Sequence, residues 1–203
     1  YVQKVHDSSY STFTLLENLL NWSRLQTGRM QNKPSNLVVI DEVAAIMSLL
    51  ESNAAGKNIL LNNEIDPSYK VKADQQMVHS NLLNLTTNAI KFSFPGGRVT
   101  FNARIVELNN EHSESINPDS SVCLEISISD NGVGMTAEVL DKLFSVEGHF
   151  TLAGTANEQG AGLGLILVKE MTEKQGGKLK VTSEVNKGSV FSFTLPVAES
   201  KNE

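Results

Sequence analysis

Between residues 59 and 195 the hydrophobic period switches repeatedly between two and about 3.6, and a chain patterned this way has to lay helices on a sheet. Val99, Phe101, Ala103 and Ile105 alternate on one face of a predicted strand, and Val122, Leu124, Ile126 and Ile128 do so on a second. Ile59 and Leu61 alternate, Tyr69 to Lys72 is short and extended, and Lys178 to Glu184 and Ser189 to Leu195 close the pattern. Between these lie helical stretches. Asp74 can cap a helix running to about Phe92, with Val78, Leu82, Leu85, Ala89 and Phe92 as its buried stripe and Pro95-Gly96-Gly97 as its stop. A short helix is expected near Thr136 to Phe144 and another from about Gly162 to Gln175. The pairs at 98/122 and 178/189 read as hairpins, so the fold class is α+β, a layer of helices on a mixed sheet.

Upstream, the pattern is purely helical. Phe13, Leu16 and Leu20, widened by Leu15, Leu19 and Trp22, give residues 1 to about 30 an apolar face that needs a partner helix, with Gly28 as a stop. Asp41 is placed to cap a second helix carrying Val43, Ile46, Met47, Leu50 and Ala54 and ending near Gly56. The polar stretch Asn109 to Ser121 reads as a surface loop, and 145 to 160 is weakly patterned.

Composition narrows the function classes. The longest apolar run, Leu163 to Val168, falls far short of the roughly 18 residues a membrane helix needs, and Tyr1 to Ser11 has no signal-peptide pattern. The single cysteine, Cys123, excludes a disulfide framework or a cysteine zinc cage and fits a reducing, cytoplasmic setting. With 17 Lys plus Arg against 23 Asp plus Glu the net charge is −6, and no basic stripe argues for nucleic acid. His6, His79, His112 and His149 show no metal-ligand spacing.

Three constellations carry chemistry. Asn81, Asn84, Asn88 and Lys91 share one stripe of the helix from Asp74. A solvated face is the ordinary reading, but asparagine is a poor helix former, whereas its amide oxygen suits a hard cation and a nearby lysine suits phosphate. Asp130-Asn131-Gly132-Val133-Gly134-Met135 follows a strand end. It is either a plain turn or a carboxylate set to accept a hydrogen bond from an exocyclic amine, beside glycines that let backbone approach a flat ring. Gly160-Ala161-Gly162-Leu163-Gly164-Leu165 opens the last helix, as a hinge or as an anion cradle of free N–H groups. Neither a P-loop nor a G-x-G-x-x-G pattern is present.

In order and spacing, Asn84-Leu85-Thr86-Thr87-Asn88-Ala89-Ile90-Lys91-Phe92-Ser93, Asp130-x-Gly132-x-Gly134-Met135 and Gly160-x-Gly162-Leu163-Gly164-Leu165 resemble the N, G1 and G2 boxes of two-component sensor histidine kinases. Gly188 to Pro196 resembles the closing strand of their catalytic domain, and residues 10 to 34 resemble the second helix of their dimerisation hairpin. The resemblance implies the two-layer α/β sandwich of the histidine kinase/GHKL ATPase type, preceded by one hairpin helix. The chain then divides into 1–35, a partial hairpin, 36–197, a catalytic ATP-binding domain, and 198–203, a tail.

By position, the resemblance assigns Asn88 to Mg²⁺ bridging the ATP phosphates, Asn84 and Lys91 to the neighbourhood of metal and phosphates, and Asp130 to the adenine amine. Gly132 and Gly134 would shape the base pocket, while Gly160, Gly162, Leu163 and Gly164 would meet the phosphates. The related hydrolases place a glutamate base where this chain has Asn84, and an amide cannot take that proton. This favours phosphoryl transfer to a protein side chain over hydrolysis by a GHKL-type ATPase; the resemblance implies that the acceptor is a histidine and that the group then passes to a response-regulator aspartate, with a non-catalytic docking module as the other alternative. His6-Asp7 matches only the first two positions of the phosphoacceptor motif, so the acceptor is expected outside this chain. Phe144 and Phe150 lack the intervening proline usual in the family's lid, and Ala161 replaces a hydroxyl often found in its phosphate loop. The implied partners are ATP, a receiver domain and a second copy bound through the hairpin helices.

Overall fold

Pairing of the period-two segments generates a five-stranded mixed sheet in which alternate residues face a layer of helices. In this computed structural model the described residues are 20, 23–25, 27–28, 30–108, 121–144, 153–156, 158 and 162–198. In chain order they form β1 (Ser35–Val38), α1 (Val39–Gly56), β2 (Leu60–Asn63), β3 (Lys70–Ala73), α2 (Gln75–Phe92), β4 (Arg98–Leu108), β5 (Ser121–Asp130), α3 (Ala137–Lys142), α4 (Gly164–Lys174), β6 (Leu179–Glu184) and β7 (Gly188–Pro196).

The sheet order is β2-β4-β5-β7-β6, with β2 parallel to β4 and every other pair antiparallel. The helix-facing side is the core. Val99 and Phe101 of β4, Leu124, Ile126 and Ile128 of β5, and Phe191, Phe193 and Leu195 of β7 pack against Val43, Ile46 and Leu50 of α1 and Val78, Leu82, Leu85 and Ala89 of α2. Burial at this density is the main favourable contribution to the fold. On the opposite side, Arg104 pairs with its cross-strand partner Glu125 at 2.8 Å.

Asp74 caps α2 as expected, its Oδ1 accepting from the Met77 N–H at 3.1 Å, and Gly28 ends the upstream helical residues at φ +67°, its N–H donating to Leu25 O. The rest of the predicted helix over 1 to 30 and the loop from Asn109 lie outside the described residues. Two expectations are corrected, the start of α1 and the depth of Phe92. α1 begins at Val39 with Val38 as an N-cap that makes no side-chain bond, so Asp41 lies inside the first turn, where its charge favours the positive helix end. Ile59, just before β2, is buried and Leu60 is exposed, so the expected alternation with Leu61 is present. Phe92, expected in the buried stripe of α2, is only half-buried, while Ile105 and Val122 keep their places in the strand alternation at 47% and 43% exposure. Finally, β1 and β3 make their own two-stranded antiparallel sheet, tied to the end of β7 through Val71 and Val197.

A second cluster, Met77 of α2 with Leu167 and Met171 of α4, is covered by Leu25 and Met30. The following residues hold this approach in place. Asn32 Nδ2 donates to Lys174 O, and the Lys33 N–H donates to Asp74 Oδ2 at 2.9 Å. Among the described residues no helix is long and apolar enough to cross a membrane.

Candidate functional site

The carboxyl half of α2 forms the floor. Asn84 and Asn88 are half-buried, and Asn84 Nδ2 donates back to Ser80 O at 2.9 Å, which leaves Oδ1 turned toward α4. Asn88 makes no side-chain hydrogen bond to a described residue, so its amide oxygen is available to a ligand. Lys91 is 9% exposed, with Nζ 4.8 Å from the centre of the Phe92 ring. Burial pulls its ammonium pKa down, and the Glu158 carboxylate acts against that shift. Asn81 does not belong to this group. It is fully buried against α4, where Nδ2 donates to Thr172 Oγ1 at 3.0 Å, so the open polar stripe is one asparagine shorter than the sequence suggests.

Asp130, the last residue of β5, stands beyond the end of α2. Its Oδ1 accepts the Gly132 N–H at 2.9 Å. Burial raises its pKa, only partly offset by the backbone N–H groups of Gly132 and Ser189. The glycines after it are required by contact. A Cβ at Gly132 would strike the Phe92 carbonyl, and one at Gly134, where φ is +63°, would strike the Glu184 carbonyl. Val133 is bonded to both sides, its N–H donating to Phe92 O and its carbonyl accepting from the Asn186 N–H. This loop therefore ties the end of α2 to the β6–β7 turn.

Two further residues continue the row and were missed from sequence. Val99 and Asp130 are register partners across β4 and β5, Ser189 and Ser183 across β7 and β6, and the Ser189 N–H donates to the Asp130 carboxylate, so the apolar face turns polar at its end. Ser183 and Ser189 share a hydrogen bond between hydroxyls at 2.9 Å, and Ser183 Oγ accepts the Met135 N–H at 2.8 Å. With Asp130, Thr182, Lys187 and Val190 they line a cleft of about 300 Å³. The available signal was the serines standing at otherwise apolar alternation positions.

The third segment enters from α4. Gly162 has φ +74°, Leu163 is the N-cap without a side-chain bond, and a Cβ at Gly164 would meet Asn84 Oδ1 at 2.7 Å. The first-turn N–H groups of α4 are thus presented beside Asn84, with the positive helix end behind them. Gly160 lies outside the described residues.

Lys57 completes the site from α1, a contribution that no local pattern announces. Its Nζ donates to Ile90 O at 2.8 Å and Lys91 O at 2.9 Å, to Thr155 Oγ1 at 2.7 Å, and to Glu158 Oε1 at 3.0 Å. The ammonium so satisfies the last carbonyls of α2, where the helix dipole is negative. Thr155 adds a bond to Ser93 O at 2.6 Å.

Among the described residues no group of three or more His, Cys, Asp or Glu could hold a metal alone. The donor set here is different: neutral amide oxygens, a lysine and a helix N-terminus at one end, and a desolvated carboxylate with hydroxyls at the other. Such a set fits a ligand with a polyanionic end and an amine-bearing end. A small hard cation would arrive with most of its ligands supplied by that anion and by water.

A family model described as "Histidine kinase-, DNA gyrase B-, and HSP90-like ATPase" matches residues 73–199. A sensor-like histidine kinase of Rhizobium meliloti is 29% identical over 197 residues, which is 97% of this chain and 35% of that protein. The chain thus spans about a third of that relative's length. Among solved structures, full-length ShkA in complex with AMPPNP superposes with a TM-score of 0.76 at 23% identity, covering 98% of this chain and 39% of that one. The histidine kinase ThkA in complex with the response regulator TrrA gives 0.66 at 18% identity, covering 98% and 51%.

Proposed function

Since this chain belongs to the histidine kinase-, DNA gyrase B- and HSP90-like ATPase family, we propose that it is the ATP-binding catalytic region of a two-component sensor histidine kinase. The observation that carries this reading is the mutual contact of three separated segments: Gly164 against Asn84, and Gly132 against the end of α2. Proteins similar to this chain include one solved with AMPPNP and one with a response regulator.

In this reading Asp130 accepts the adenine amine, and its burial keeps that hydrogen bond out of competition with water. Gly132 and Gly134 hold the loop close enough to shape the base pocket. Lys91 holds phosphate as a point charge, and Gly162, Leu163 and Gly164, with Gly160, present backbone N–H groups to the same phosphates. Asn88, with Asn84 beside it, would offer an amide oxygen to Mg²⁺, which would supply neutralisation of the phosphate charge. An imidazole from outside this chain attacks the γ-phosphorus in line, the bond to the β–γ bridging oxygen breaks, and ADP leaves. Asn84 cannot act as a base toward water, so transfer to a side chain outweighs hydrolysis. From the phosphohistidine the phosphoryl group passes to an aspartate of a response-regulator receiver domain.

Residues 1–35 are proposed as the second helix of a dimerisation hairpin, 36–197 as the catalytic domain and 198–203 as a tail, in a cytoplasmic homodimer. Calorimetric titration of ATP with and without Mg²⁺ tests the site. Asp130→Asn is expected to abolish binding, and Asn88→Ala to remove its Mg²⁺ dependence. Absence of binding in folded wild-type protein would leave a non-catalytic docking module.

A further inference from the structure

The Glu158 carboxylate interacts with two ammonium groups. One is Lys57, at 3.0 Å, and the other is Lys91, which it influences electrostatically. Gly154 brings Glu158 close to Lys91: its own N–H donates to Glu158 O, and a Cβ there would collide with both the Glu158 carboxylate and the Lys91 stem. Glu158 is also bound by the Ala156 N–H at 2.8 Å. Burial by itself would raise the Glu158 pKa, yet bonds from its own amide, Lys57 and Ala156 hold it below the ordinary glutamate value. A fixed anion therefore lies beside the lysine that, in the proposed reading, must receive phosphate. Like charges that close repel, and a carboxylate with no other cation would compete directly for Lys91.

We propose that Lys57 is a positioning residue for nucleotide binding: by holding Glu158 as its own counter-ion, it prevents that carboxylate from competing with the ligand's phosphates for Lys91. The inference rests on the nucleotide reading above and adds a residue to it. Lys57 is suited to this because its anchor is independent of Glu158. The carbonyls of Ile90 and Lys91 fix the ammonium at the end of α2, so it stays in place whether or not phosphate arrives.

The test uses the whole 203-residue chain and two probes, Mg-AMPPNP, which carries phosphates, and adenosine, which does not. Lys57→Met is expected to weaken Mg-AMPPNP about tenfold, the size of one partly buried charge interaction, and to leave adenosine affinity within about twofold. Lys57→Arg should keep most of the affinity. Glu158→Gln alone should tighten Mg-AMPPNP, and adding it to Lys57→Met should restore affinity to about the wild-type value. Unchanged Mg-AMPPNP binding in Lys57→Met would overturn the inference, as would equal loss for both probes or a double variant no better than the single one. Each of these would mark Lys57 as scaffold only. Should Lys57→Met fail to fold, the Glu158→Gln arm decides alone, since weaker Mg-AMPPNP binding there contradicts the proposal. Wild-type protein that binds neither probe would instead overturn the nucleotide reading, and the inference with it.

Discussion

Gly164 and Asn84 meet so closely that a Cβ on the glycine would come to 2.7 Å from Asn84 Oδ1. The obstacle is the far end of a side chain, which can swing away. Gly164→Ala is therefore expected to change stability by less than about 1 kcal/mol while turning the Asn84 amide from its present direction. Calorimetry should show weaker Mg-AMPPNP binding with adenosine binding retained, and a thermal melt close to wild type.

The loop after Asp130 offers no such escape. At Gly132 and Gly134 an added Cβ strikes the backbone carbonyls of Phe92 and Glu184. Alanine at either position should destabilise by about 1–3 kcal/mol through forced backbone shifts, more at Gly134, where φ is also positive. Urea midpoints would measure both.

Asp130 couples binding and stability to pH in opposite directions. Its folded pKa is raised by burial, so between the ordinary aspartate value and that raised value the folded state binds more protons than the unfolded state. Stability therefore falls as pH rises through this window. Binding of an adenine amine needs the ionised carboxylate, so adenosine affinity rises across the same window. Asp130→Asn should flatten the stability slope and abolish binding, which paired melts and titrations at several pH values would report.

Behind the site, Asn81 and Thr172 are fully buried partners, and Asn81 Oδ1 already has no hydrogen-bond partner among the described residues. Thr172→Val leaves the amide nitrogen unsatisfied as well and should cost about 1–3 kcal/mol in urea denaturation. Combining it with Asn81→Leu removes the stranded groups and should recover much of that loss.

The elements legible in the sequence were those fixed by local chemistry. Asp74 announces a helix start because its side chain reaches only its own first turn, Gly28 announces a stop because it tolerates positive φ, and strand alternation follows from the pleat. What was not legible depends on partners far along the chain. Asn81 and Asn84 look alike on a helical wheel, and only the approach of α4 decides that the first is sealed against Thr172 while the second faces Gly164. Ser183 and Ser189 join Asp130 through strand register, and Lys57 reaches the end of α2 from another helix. Asp41 misled because strong capping chemistry lay two residues inside a helix whose start is set instead by β1, with the Val39 N–H donating to Tyr69 O.

The two oxygens of Asp74 have different clients: one holds the first turn of α2, and the other holds the Lys33 N–H on the segment arriving from the upstream helical residues. α2 is 18 residues long, a stiff rod of about 27 Å with Asp74 at one end and Lys91 at the other. A tug on residue 33 thus pulls on the same carboxylate that seats the rod, and a rod transmits at its far tip what is done at its base.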